Sequence, residues 1–240
     1  MNKEKLLDEN SKHALQSDNI IAITNRHLCS RPFMEQLERV CKLHPHAIVL
    51  REKDMPEAEY LSLARDVIAL CKKYDVQCML HSFINVAMEL EHPYIHLPLP
   101  ILEAYVKKNM SGNISTGMSK STDNYQQFFK VIGTSVHSVE DAIKAEQLGA
   151  TYMTAGHIFA TDCKKGLPPR GLDFLKNVCD AVGIPVYAIG GINIAPSDDS
   201  TASDAPPAYD AMPDISVPRL ADVMECGAAG GCIMSGMMRV

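Results

Sequence analysis

Residues 130–159 read KVIGTSVHSVEDAIKAEQLGATYMTAGHIF, and they carry one complete strand–helix–strand unit. Residues 130–136 are rich in β-branched side chains, as strands are. Ser138 stands three residues before Asp141, an N-cap followed by an acidic first turn. Helical spacing then runs to Leu148, and Gly149 is the residue type on which helices commonly stop. Residues 151–159 are strand-like again. Two strands joined through a helix are expected to lie parallel.

The same alternation repeats in both directions. Strand patterns occupy residues 20–24, 47–50, 77–80, 94–97, 185–189 and 231–234, and helical patterns fill 32–43, 57–74, 84–90, 101–108, 172–182 and 217–226. In 57–74 the apolar residues fall at 61, 64, 67, 68 and 71, the spacing of one helix face. With the two strands of the quoted unit this gives eight strands, which predicts an α/β fold of the (β/α)8 TIM-barrel type. A doubly wound open sheet is the alternative. Residues 109–127 read as an exposed loop. The Ser-, Asp- and Pro-rich stretch 195–213 reads as a flexible insertion, about 195–215 at its widest, within a single barrel domain covering 1–240. Only four residues follow Gly236, too few for the helix that should close the barrel, so either the chain is truncated or a helix at 4–16 covers the gap.

Composition narrows the function. Of 240 residues, 46% are hydrophobic and 22% charged, which fits a soluble globular chain. The net charge of -6 disfavours non-specific nucleic-acid binding. The N-terminus MNKEKLLDENSKH has no apolar signal-peptide core, and no apolar run is long enough to span a membrane. Eight cysteines stand at 29, 41, 71, 78, 163, 179, 226 and 232, without a C-x-x-C pair. Reduced thiols in a cytoplasmic protein are therefore expected. A homo-oligomer is compatible with the sequence.

In a barrel the active site lies at the C-terminal ends of the strands. That rule selects Arg51, Glu52, Lys53, His81, Ser82, His96, Ser135, His137, His157, Thr161, Lys164, Lys165, Gly190, Gly191, Ser235 and Gly236. Gly190-Gly191 and Ser235-Gly236 follow the last two strands, where barrels often hold a phosphate on backbone N–H groups. Tight turns alone would also account for them. His137 can move protons near neutral pH, or it is simply a solvated residue before a helix. His157 falls inside a strand pattern and is expected to be a core or supporting histidine. The cations Lys164, Lys165 and Arg170 sit in TAGHIFATDCKKGLPPRG, residues 154–171, and suit an anion, a solvated loop being the plain alternative. The histidines lack i, i+4 spacing and the cysteines lack pairing, so a His/Cys metal site is not expected.

The stretches LREKD (50–54), GTSVHS (133–138), TAGHIFATDCKKGLPPRG (154–171), AIGGI (188–192) and MSG (234–236) together resemble the thiamine phosphate synthase superfamily. The resemblance covers nearly all of the chain from residue 20 onward and implies a barrel enzyme of thiamine biosynthesis. One branch, the synthase, joins a pyrimidine pyrophosphate to thiazole phosphate with magnesium held by acids after strands three and four. Here those positions read His81-Ser82 and Pro98-Leu99, without a carboxylate. The other branch, the thiazole tautomerase, isomerises a carboxylated thiazole phosphate without metal. "SVHSVEDA" and "GHIFATDCKKG" are more similar to it. That branch's acid/base histidine falls on His137. The resemblance further implies that Gly190, Gly191, Ser235 and Gly236 hold the phosphate, and that Arg51, Lys53, Ser135, Thr161 and Lys164 line the substrate site. The expected function is thus a thiazole tautomerase without cofactor, its partner a small thiazole phosphate. The alternatives are a synthase using magnesium, and a degenerate protein that binds thiazole phosphate without turnover. Residues 160–171 would form a lid.

Overall fold

The computed structural model describes residues 19–112, 128–196 and 215–240. Eight strands are each buried at their centres: β1 (Ile20–Ile23), β2 (Ala47–Leu50), β3 (Gln77–His81), β4 (Tyr94–Pro98), β5 (Val131–Val136), β6 (Tyr152–Gly156), β7 (Val186–Ile189) and β10 (Gly230–Ile233). They close into one barrel in the order β1-β2-β3-β4-β5-β6-β7-β10, every pairing parallel. Parallel pairing requires a crossover at each step. The helices α1 (Phe33–Lys42), α2 (Glu57–Lys73), α3 (Ile84–Glu89), α4 (Leu99–Gly112), α5 (Val139–Gln147), α6 (Gly171–Ala181) and α7 (Leu220–Glu225) supply them. The TIM-barrel expectation therefore holds.

Two layers of apolar packing follow from the alternation of side chains along each strand. One set, Ile21, Ile23, Ala47, Val49, Met79, Tyr152, Tyr187 and Cys232, fills the barrel interior. The other, including Leu37, Val40, Tyr60, Val67, Leu102, Ala142, Leu175 and Val178, seals the helices to the outer face. Burying one such aliphatic side chain contributes roughly 1.5–3 kcal/mol.

Local signals act as the sequence predicts in the quoted unit. Ser138 Oγ accepts from the Asp141 N–H at 3.0 Å, and Gly149 has φ 87°. At other points the structure corrects the expectation. β6 ends at Gly156, not 159. The helix expected at 101–108 starts at Leu99 and runs to Gly112, so residues 109–112 are not loop. Pro100 is tolerated because the first helical turn needs no N–H. The remainder of that expected loop, most of the 195–215 insertion and the 4–16 helix lie outside the described residues. The insertion is bracketed by a short antiparallel pair, β8 (Ala195–Pro196) with β9 (Ile215–Ser216). After β10 the described chain forms turns and no helix. Met237, Met238 and Val240 are buried there, and Gln36 of α1 donates to the carbonyls of Met237 and Val240 at 2.7 and 3.1 Å.

Candidate active site

His137 is the first residue after β5. The capping arrangement that starts α5 also fixes its backbone, since its N–H donates to Asp141 Oδ2 at 3.4 Å. Its ring Nδ1 lies 2.9 Å from the Gly156 carbonyl. A carbonyl can only accept, so Nδ1 carries a proton, and in the neutral ring Nε2 keeps the lone pair. The imidazole is exposed. Position, hydrogen bonding and accessibility are those of a group able to take and return a proton.

One turn deeper, Ser135 joins β4, β5 and β6. Its Oγ is 2.9 Å from His96 Nε2 and 3.0 Å from Thr154 Oγ1. His96 Nδ1 is 2.9 Å from the Tyr152 hydroxyl. The His96 ring stacks on His81 with centroids 5.6 Å apart. His81 is held from behind: its N–H donates to the Tyr60 hydroxyl at 2.9 Å, and its Nδ1 lies 2.7 Å from Ser82 Oγ. Ser82 has φ 69°, a left-handed conformation uncommon for a residue with a side chain.

The surroundings of these histidines are cationic. Burial comes first among the causes that push His81 down to about 2, followed by His96, Lys53 and Arg51. His96 is pushed down to about 3 by burial, then by Lys53 and Arg51. Both rings are neutral at pH 7. Lys53 is itself held below its usual range by desolvation, then by the charges of Arg51 and Lys164. Arg51 and Lys53 thus bear on two neutral imidazoles, and Lys164 bears on Lys53.

The loop after β6 supplies Lys164. Its base is pinned, with Ile158 N–H donating to Ile189 O at 2.9 Å and Phe159 N–H to Gly190 O at 3.0 Å. Gly190 and Gly191 have φ 99° and 71°, and a Cβ on either would run into His157, Phe159 or Ala160. Only glycine admits both the backbone and the close approach. The other loop cations do not join Lys164. Lys165 pairs with Asp162 at 3.7 Å in solvent, and Arg170 lies over the Phe174 ring at 5.2 Å. Thr161 precedes the short turn Asp162–Lys164, and its carbonyl accepts from Lys164 at 3.0 Å. His157 is no strand residue: it lies past the end of β6, half-buried, with Nε2 3.4 Å from Leu167 O.

The turns after β7 and β10 are tied together by Ser235 Oγ, which donates to Asn193 Oδ1 at 3.1 Å. Gly236 packs against Ile194, where a Cβ would come within 2.9 Å of the side chain. Arg219 closes the outer side, donating to Gly191 O at 2.9 Å and lying 4.4 Å from the Phe159 ring centroid.

The acids lie on the other side of the mouth. Glu52 was a candidate mouth residue, but it is buried and engaged. It accepts from Thr24 Oγ1 at 2.6 Å, from the Arg26 N–H at 3.1 and 3.2 Å, and from Arg26 Nη1 at 3.0 Å. Asp54 accepts from Arg26 at 2.7 and 2.8 Å and pairs with His27 at 2.9 Å. Magnesium needs a set of oxygen ligands, usually with carboxylates. The ends of β3 and β4 offer His81, Ser82, Pro98 and Leu99, and the nearby acids are committed to Arg26. The residues of the described mouth do not fit that ion.

Arg26, Tyr152, Thr154, Asn193 and Arg219 shape the mouth without having been singled out in the sequence. Tyr152 and Thr154 share a face of β6 by strand alternation, which is a usable signal. Arg26 and Arg219 are distant in sequence from the groups they hold and gave none.

Comparison with known proteins agrees with this architecture. The model of the thiamine monophosphate synthase family matches residues 20–206. A protein of Aquifex aeolicus whose name, thiamine-phosphate synthase 2, is given provisionally is 35% identical over 173 residues, covering 72% of this chain and 84% of that one. The thiamine-phosphate synthase of Pyrococcus furiosus is 29% identical over 174 residues, covering 72% and 75%. A solved thiamine phosphate pyrophosphorylase from Pyrococcus furiosus superposes with a TM-score of 0.63 at 24% identity, covering 92% of this chain and 88% of that one. The chain belongs to the thiamine monophosphate synthase family.

Proposed function

We propose that the protein is a thiamine-biosynthesis enzyme of the cytoplasm that binds a carboxylated thiazole phosphate and isomerises it by proton transfer through His137. The observation that carries this is the exposed His137 with Nδ1 committed to the Gly156 carbonyl and Nε2 free to act as base. Moving a proton between two ring positions needs one group that first accepts and then donates. Gly190, Gly191, Ser235 and Gly236 would receive the phosphate on backbone N–H groups. Arg51, Lys53 and Lys164 would neutralise the carboxylate, Arg51 with the best geometry because its fork is bidentate. Thr161 and Ser135 would add hydroxyl contacts. No step calls for a metal.

Exchanging His137 for Asn keeps a hydrogen-bonding group but removes the base. Turnover of the carboxylated thiazole phosphate should fall by about 100- to 10,000-fold. Its binding, followed calorimetrically, should survive. Full turnover in the variant would remove His137 from the reaction.

A second reading is the synthase, which the names of the curated relatives favour over an isomerase. Its pyrophosphate would find Arg51, Lys53 and Lys164, but the magnesium that accompanies pyrophosphate lacks carboxylates at the ends of β3 and β4. Formation of thiamine phosphate from the pyrimidine pyrophosphate and thiazole phosphate would establish it.

A further inference from the structure

We infer that buried Tyr152 fixes the direction of a hydrogen-bond chain, and so makes Ser135 a dedicated donor to an acceptor oxygen of the bound ligand. This rests on Ser135 facing the substrate site proposed above. Backbone register creates the chain. His96 pairs with Gly133, and Gly133 with Tyr152, so the three residues lie abreast on β4, β5 and β6. A Cβ on Gly133 would collide with the Tyr152 ring and hydroxyl. The missing side chain lets Tyr152 cross β5 and reach His96.

The protons can then be assigned one by one. Tyr152 is buried, and burial raises its phenol, which stays protonated. Among the described residues its hydroxyl meets one polar partner, His96 Nδ1 at 2.9 Å. The phenol therefore donates to Nδ1. His96 is neutral and has a single N–H, which must then sit on Nε2. That N–H donates to Ser135 Oγ at 2.9 Å. Thr154 is buried, meets no other polar group with its side chain among the described residues, and donates to Ser135 Oγ at 3.0 Å. Both lone pairs of Ser135 are thereby occupied. Its own proton has no acceptor among the described residues, and Ser135 is partly open to the mouth. Running the chain the opposite way would leave the Tyr152 proton buried and unpaired, which is costly. Each donor also polarises the next in the same direction. Ser135 thus selects a carboxylate or phosphate oxygen and rejects a donor. Tyr152 acts on it only through His96, as a positioning residue.

Two measurements test this. In protein labelled with 15N-histidine and free of ligand, nitrogen NMR should find His96 protonated on Nε2, and Tyr152→Phe should shift it toward the Nδ1 tautomer. His96 protonated on Nδ1 in the unaltered protein would overturn the inference. Calorimetric titration with carboxylated thiazole phosphate should then show Tyr152→Phe weakening binding about tenfold. The same exchange in a Ser135→Ala background should add nothing further. Equal losses in both backgrounds would overturn the coupling and leave Tyr152 as packing. If that compound does not bind the unaltered protein, the functional proposal fails, while the nitrogen spectrum still decides the chain.

Discussion

The two sides of the barrel mouth differ in how charge is settled. Beside β1 and β2, Glu52 and Asp54 are satisfied by Arg26, His27 and Thr24 within 3.2 Å. From β2 round to β6, Arg51 and Lys53 bear on neutral histidines and Lys164 on Lys53, with no ion pair to an acid among the described residues. The first arrangement is complete without a ligand. The second is an unbalanced field, which costs stability unless an anion supplies the missing charge. The comparison teaches where architecture ends and binding begins, although both sides grow from the single stretch Arg51-Glu52-Lys53. Glu52 is buried against Thr24 and Arg26, whereas Arg51 and Lys53 bear on the histidines.

The difference is tested most strongly at Glu52. Glu52→Gln should destabilise the fold by about 1–3 kcal/mol, because a buried amide replaces the carboxylate that accepts from Thr24, the Arg26 N–H and the Arg26 guanidinium, while Asp54 still pairs with Arg26. Urea denaturation measures this, and a change below about 1 kcal/mol would mean that the network adds little.

Lys53→Ala and Lys164→Ala should behave in the opposite way. Each should weaken binding of the phosphorylated ligand by roughly 1–2 kcal/mol and leave the denaturation midpoint unchanged or slightly raised. Calorimetry at two salt concentrations checks both halves. A destabilised fold with intact binding would reverse the assignment of the two sides.

The neutral histidines add a pH signature. His81 and His96 are pushed below the usual 6.5. The unfolded chain takes up protons that the folded chain refuses, so the contribution is fully present above about pH 6.5 and is lost as pH falls. Each histidine should add about 1.4 kcal/mol of loss per pH unit between there and its folded value. Flat stability from pH 7 to 5 would contradict the burial of these rings. The smallest effect is expected at Lys165, whose exposed pair with Asp162 should contribute under about 0.5 kcal/mol on removal.

Much of this was legible because it is local. Ser138, Asp141 and Gly149 set the start and stop of α5 by side-chain and backbone rules that act within a few residues. His137 follows from that same start signal. The end of β6 was misread because His157, Ile158 and Phe159 continue an apolar pattern after the strand has stopped pairing. The network on Glu52 joins residues 26 apart, and the Tyr152–His96 contact joins residues 56 apart across a glycine. Periodicity reports which face a residue takes. It does not report which distant partner stands opposite.

The most direct measurement follows the carboxylated thiazole phosphate by proton NMR, with the unaltered protein in excess EDTA. Isomerisation should proceed at an undiminished rate, with no thiamine phosphate formed when EDTA is replaced by magnesium and thiazole phosphate is supplied together with the pyrimidine pyrophosphate. An inert thiazole in the first mixture, together with thiamine phosphate in the second, would contradict proton transfer through His137 as the function of this barrel.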